Sequence, residues 1–109
     1  MLRVRWASHT LADRRRIATF WADANPALLP EVLAAINARV AWLAAGNHAL
    51  GTQIGGLDPA YRFILERRFG YKIFYRLEGD PPTTIAVFAV RHGRQRPLNP
   101  ATLARYART

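Results

Sequence analysis

The chain has 109 residues, half of them hydrophobic, with 16 Lys and Arg against 7 Asp and Glu and a formal net charge of +9. That is the length of one domain, able to bury about two-thirds of its unfolded surface, which excludes intrinsic disorder. The lack of Cys excludes a disulfide framework, a thiol nucleophile and Cys-ligated metal, and fits a reducing compartment.

Leu2 to Trp6 alternates apolar and charged residues, the period of a half-buried strand. Ser8 and Thr10 then offer helix caps, and Asp13, three residues after Thr10, completes the pattern of a capping box. Leu11, Ile17, Ala18, Phe20 and Trp21 fall near one face of this first helix. Arg14, Arg15 and Arg16 splay around it. Asn25-Pro26 closes that helix and opens the next, because the residue before Pro leaves the helical region while Asn caps and Pro suits a first turn. Leu29, Val32, Leu33, Ile36, Val40 and Leu43 then form an apolar stripe at helical spacing, which predicts a helix over 30–45. Gly46-Asn47 stops it, and the four Gly and one Pro of residues 46–59 predict a loop.

The period changes in the second half. Tyr61 to Glu66, Tyr71 to Leu77 and the β-branched and aromatic run Thr83 to Val90 predict three strands, joined by a short turn at Arg68-Phe69-Gly70 and a turn cluster at 78–82. Such short links make an antiparallel meander. The expected order is β-α-α-β-β-β, an α+β fold with two helices packed on a small, mainly antiparallel sheet. Residues 1–97 make one domain, and 98–109 a basic tail with a short helix from Pro100.

No apolar run approaches the 18 or more residues of a membrane span, and the amino terminus lacks a signal-peptide stretch. A soluble, cytoplasmic protein without a membrane partner is expected. Its charge is unevenly placed: residues 1–20 carry five Arg and one Asp, 21–59 one Arg and three acids, and 60–109 ten basic residues and three acids. This asymmetry points to an anionic partner, either nucleic acid or an acidic protein segment.

Phosphate-binding glycine loops, nucleophile elbows and paired-His metal helices are missing from the sequence. His9, His48 and His92 lie in three separate segments, so neither a metal nor a cofactor is expected. The chemistry-bearing set is Arg62, Arg67, Arg68, Tyr71, Lys72, Tyr75, Arg76, Arg91, His92, Arg94 and Arg96, on and beside the meander. Arg presents a forked, permanently charged donor to phosphate, His titrates near neutrality, and Tyr stacks or donates a proton. RNA cleavage by a ribose 2′-hydroxyl needs such a base, acid and cationic clamp, with Arg62, Tyr71, Arg91 and His92 as the candidate catalytic set. The same sheet also reads as a single-strand RNA-binding surface. The bland reading is a solvated strand face, on which alternate residues are Arg.

The element order, Asn25-Pro26, Arg62 after the variable loop, the strand Tyr71-Lys72-Ile73-Phe74-Tyr75-Arg76, and the close Val90-Arg91-His92-Gly93-Arg94-Gln95-Arg96-Pro97 together resemble the ParE/RelE superfamily of bacterial toxins, the ParE branch above all. The resemblance spans about residues 2–97. It implies the toxin of a type II toxin-antitoxin pair, neutralised by a cognate antitoxin with an acidic amphipathic tail. Leu29, Val32, Leu33, Ile36 and Val40 are the candidate antitoxin groove. ParE-like members are linked to inhibition of DNA gyrase without a hydrolytic site, and RelE-like members cut messenger RNA on the ribosome. Arg62, Lys72, Arg91, His92, Arg94 and Arg96 are the candidate target-binding residues under either reading. The middle strands offer only Lys72 beside the carboxylate Glu66, so the implied function is a ParE-like gyrase poison, with mRNA cleavage as the alternative.

Overall fold

The structure, a computed structural model, describes all residues 1–109. Its order is β1 (Arg3–Trp6), α1 (His9–Ala24), α2 (Leu29–Trp42), β2 (Thr52–Gln53), β3 (Tyr61–Glu66), β4 (Tyr71–Glu78), β5 (Thr84–His92) and α3 (Pro100–Ala107). The five strands form one mixed sheet in the order β1-β5-β4-β3-β2. The meander β3-β4-β5 is antiparallel as predicted, and β1 adds in parallel to β5. The three helices of this α+β fold pack on both faces: α1 and α2 cover one, α3 the other. The expected helix at Pro100 is therefore docked, with Leu103 and Ala107 buried against Phe88 and Ala89. Asn99 caps it by accepting the Thr102 N–H.

β2 departs from the sequence reading. Residues 46–59 are not all loop: Thr52 and Gln53 pair with Phe63 and Arg62 of β3. Two residues bounded by glycines are too short for periodicity to reveal.

β5 is buried without interruption from Ile85 to Val90. A strand covered on both faces reads as a continuous apolar run, which is why this segment lacks alternation. Between Phe74 and Tyr75 the register shifts, so Phe74 faces Ala89, Tyr75 faces Val87, and Phe88 is the extra residue of a bulge.

The α2 stripe is spread over the sheet. Val32, Ile36, Val40 and Leu43 are buried with Ile64, Ile73 and Tyr75, and Leu29 and Leu33 are partly buried beside them. Of the candidate antitoxin groove, Val32, Ile36 and Val40 thus pack into the core, and Leu29 and Leu33 keep part of their surface open. By length and mean hydropathy Pro26–Leu50 also passes for a membrane span, contrary to the sequence reading. Its Val32, Ile36, Val40 and Leu43 pack on the sheet, and it is not one straight helix: it opens with a tight turn at Pro26–Leu28 and unwinds after Trp42 to Gly46 at φ 112°.

Asp13 is the largest surprise in α1. No side chain caps the helix at Ser8, and the Thr10 hydroxyl donates to the Ala7 carbonyl (2.7 Å), so the capping box is not formed. Asp13 is instead fully buried, with Oδ2 accepting the Val90 N–H of β5 (2.8 Å) and Oδ1 accepting from Arg16 (2.9 Å). The buried face of α1 is accordingly Thr10, Asp13 and Ile17, while Leu11 and Phe20 are exposed. Replacing Asp13 by Ala removes the acceptor from a buried N–H and should destabilise the fold by about 3 kcal/mol. Thermal unfolding followed by circular dichroism should then show a Tm lower by on the order of 10–20 °C.

α3 is clasped to the start of α1. The His9 ring stacks on Tyr106 (3.4 Å between centroids, 11° between planes), and the His9 N–H donates to the Thr109 hydroxyl (3.1 Å). Burial pushes the His9 imidazole below its usual value, helped by Arg16, Arg91 and Arg105 and opposed by Asp13. The folded state thus favours the neutral ring. Its contribution to stability is complete above the unfolded value of 6.5 and is lost as pH falls below it. Acidification from about pH 7.5 to 5.5 should lower the Tm of the wild type more than that of His9→Phe, which keeps the stack without the titration.

Candidate functional site

The start of β4 and the end of β5 lie side by side, with Tyr71 opposite His92. The turn before β4 is built by Glu66, whose buried carboxylate accepts the backbone N–H groups of Arg68 (2.7 Å) and Phe69 (3.0 Å). That turn needs Gly70 at φ 84°, a left-handed conformation that side chains disfavour. A Cβ there would also stand 3.0 Å from His92 Nε2. The turn points Arg68 outward, over the Phe69 ring at 4.8 Å and onto Glu31 at 2.6 Å.

The chain leaving β5 folds back on His92. The His92 N–H donates to Gln95 Oε1 (2.7 Å), and the Arg94 N–H donates to His92 Nδ1 (3.1 Å). An imidazole that accepts at Nδ1 carries its neutral-form proton on Nε2. The ring meets Tyr71 edge-on at 5.3 Å between centroids. The Tyr71 hydroxyl accepts from Trp21 Nε1 (2.9 Å), and Trp21 in turn packs edge-on against Phe69 and Phe20. Burial pushes the Tyr71 phenol up from its usual value, with Glu66 adding to the shift and the Trp21 hydrogen bond opposing it.

Between these groups opens a pocket of about 510 Å³, with Tyr71 and His92 at its base, Phe20, Trp21 and Phe69 on its walls, and Arg16, Arg68 and Arg94 around it. It has the size of a ligand cleft and combines aromatic surface with a cationic rim. Tyr71, His92 and Arg94 were legible in the sequence. Arg68 belongs to the same chemistry-bearing set, whereas Arg16, Phe20, Trp21 and Phe69 were not singled out as pocket residues. The adjacent Phe20-Trp21 pair was the available signal, since two neighbours on a helix cannot share one buried face.

The remaining site residues lie elsewhere. Arg62 is opposite Tyr75, four positions along β4 from Tyr71 and therefore roughly 13 Å away. Its Nη1 donates to the carbonyls of Ala49 (3.0 Å) and Gly51 (3.1 Å), and the Tyr75 hydroxyl donates to the His48 carbonyl (2.7 Å). Arg62 latches residues 48–51 to the sheet. Lys72 and Arg91 are register partners on β4 and β5, one residue out of step with Tyr71 and His92 and so on the opposite face. Arg91 donates to the Arg96 carbonyl (2.9 Å). The four residues of the candidate nuclease set thus do not converge, and only Tyr71 and His92 touch. A separate groove of about 310 Å³ lies between α1 and α2, lined by Trp6, Ala18, Leu33 and Ile36, with Arg14 stacked on Trp6 at 4.4 Å.

Known proteins agree with this arrangement of elements. The sequence model of the ParE toxin of the type II toxin-antitoxin system parDE matches residues 4–97. The chain belongs to the ParE toxin family. Its fold matches a solved chain described as the chromosomal ParDE toxin-antitoxin system from P. aeruginosa, with a TM-score of 0.67 at 17% identity, covering 84% of this chain and 96% of that one. No curated protein sequence matches it. As a toxin of a type II pair, this ParE family member has a cognate antitoxin as its partner.

If Arg62 is a latch, Arg62→Ala should speed amide exchange across residues 48–53 and leave the His92 ring resonances in place. Displaced His92 resonances with unchanged exchange would put Arg62 in the pocket instead.

Proposed function

We propose that this ParE family toxin acts in the cytoplasm by inhibiting DNA gyrase, with the pocket bounded by Arg16, Arg68 and Arg94 as its contact with the target. The observation that carries this reading is the division of the candidate catalytic set between two faces and two ends of the sheet. General acid-base cleavage requires base, acid and phosphate clamp within hydrogen-bond reach of one substrate. A poison needs only a shaped surface that holds its target. The pocket offers one: aromatic walls for apolar anchoring, with cations around them to select an acidic surface and speed encounter.

The antitoxin then covers the groove between α1 and α2, where Trp6, Ala18 and Leu33 receive apolar side chains and Arg14 meets the acidic flank of the tail. That groove leaves Val32 and Val40 in the core.

Added to gyrase in vitro, the protein should abolish supercoiling and accumulate cleaved DNA. Arg68→Glu/Arg94→Glu should weaken inhibition by at least tenfold. Undiminished supercoiling at stoichiometric excess would remove gyrase as the target. New 5′ ends on translated messages after induction would favour the nuclease reading.

A further inference from the structure

The sheet face opposite α1 and α2 carries a second cationic surface that the gyrase reading does not use. Register partners across an antiparallel pair point the same way, so Tyr61 and Arg76, Phe63 and Phe74, and Leu65 and Lys72 form three rows on this face. Arg91 extends the Lys72 row onto β5. α3 buries Phe88 and Ala89 but leaves Tyr61, Phe63 and Phe74 only partly covered, and Leu65 is 40% exposed.

The cations on these rows lie on the rings. Lys72 Nζ stands 5.1 Å from the Phe63 ring centre, and Arg76 Cζ stands 5.4 Å from that of Tyr61. None of Lys72, Arg76 and Arg91 has a carboxylate partner, because the Arg–carboxylate ion pairs of the protein join Arg5 to Glu78, Arg68 to Glu31 and Arg16 to Asp13. Glu78, the one acid at the edge of this face, is held by Arg5. The surface is therefore aromatic and positive, and its one edge acid is already paired.

That combination selects its occupant. An apolar partner would bury three cations with no anion to offset their lost hydration. A second copy would bring the same charges against themselves. A purely acidic segment or a DNA duplex would engage the cations and ignore the rings, since carboxylates carry no π-face and a duplex hides the faces of its bases in the stack, and the amphipathic antitoxin tail has its own groove between α1 and α2. Single-stranded nucleic acid uses both, pairing phosphates with Lys and Arg while bases stack on aromatic rings. We propose that this face binds single-stranded nucleic acid, with bases stacked on Phe63 and Tyr61 and phosphates held by Lys72, Arg76 and Arg91. On binding, Lys72 and Arg76 swing from the ring faces to the phosphates. This site is independent of the gyrase reading and stands or falls separately from it.

Fluorescence anisotropy with fluorescein-labelled 12-nucleotide oligothymidylate and oligouridylate, and with a blunt 12-base-pair duplex, tests the proposal on the intact protein at about 100 mM salt. The two single strands should bind equally, because nothing on the face addresses a 2′-hydroxyl, and at least fivefold tighter than the duplex. Lys72→Glu/Arg76→Glu should weaken single-strand binding at least tenfold. The neutral pair Lys72→Gln/Arg76→Gln should weaken it several-fold, which covers misfolding of the reversed variant. Arg15→Glu/Arg67→Glu, the same charge change on exposed residues beside the helices α1 and α2, should stay within twofold of wild type. Equal losses in the two charge-reversal pairs, duplex binding as tight as single-strand binding, or no binding to any probe would each overturn the proposal.

Discussion

The hydrogen bond from the Val90 N–H to the buried Asp13 carboxylate is the contact on which the arrangement of helices and sheet depends. β1 ends at Trp6, opposite Val87, so the last part of β5 has no strand neighbour on that edge. A buried strand N–H without a partner is costly, and the loop Ala7-Ser8 brings α1 across the gap with a carboxylate in the right place. Arg16 and His9 surround the same carboxylate, so the charge is enclosed rather than bare. One acid therefore sets where α1 crosses the sheet. It also sets which α1 residues are left at the surface.

Those outward residues define the pocket. With Thr10, Asp13 and Ile17 turned inward, Arg16 and Phe20 are left exposed and Trp21 lies between, bonded to Tyr71. The opposite wall depends on a second buried acid, Glu66, which holds the turn that carries Arg68 and Phe69. Both walls thus rest on carboxylates that are enclosed by the fold, while the cations of the pocket reach solvent. This is how a chain of net charge +9 shows its partners a surface more positive than its composition alone implies.

Strand parity distributes the remaining charge. Tyr71 and His92 face α1, and Lys72 and Arg91, each the next or preceding residue in the chain, face α3. A single sequence run, Arg91-His92, therefore serves two surfaces. The bulge at Phe88 belongs to the same logic, because it lets β5 place Phe88 with α3 while Val87 and Val90 stay in the core under α1 and α2.

What was legible in the sequence is what short-range physics decides. The stripe of α2, the alternation of β3 and β4, the unbroken apolar run of β5 and the breaks at Asn25-Pro26 and Gly46 each express a local period or a local backbone restriction; the strands appear where the sequence predicts them, while α2 runs from Leu29 to Trp42 and unwinds before it reaches Gly46. The overall positive charge and its absence from the central helix are equally properties of the chain alone. Tertiary structure decided the rest. Asp13 reads as a cap three residues from Thr10 and becomes a clamp on a residue 77 positions away. Arg62 reads as a phosphate ligand and becomes a latch on residues 48–51. β2 has no period of its own and exists because β3 offers it an edge. In each case the side chain or segment has a partner far along the chain, and a hydrogen bond between distant residues is invisible until the register that joins them is known.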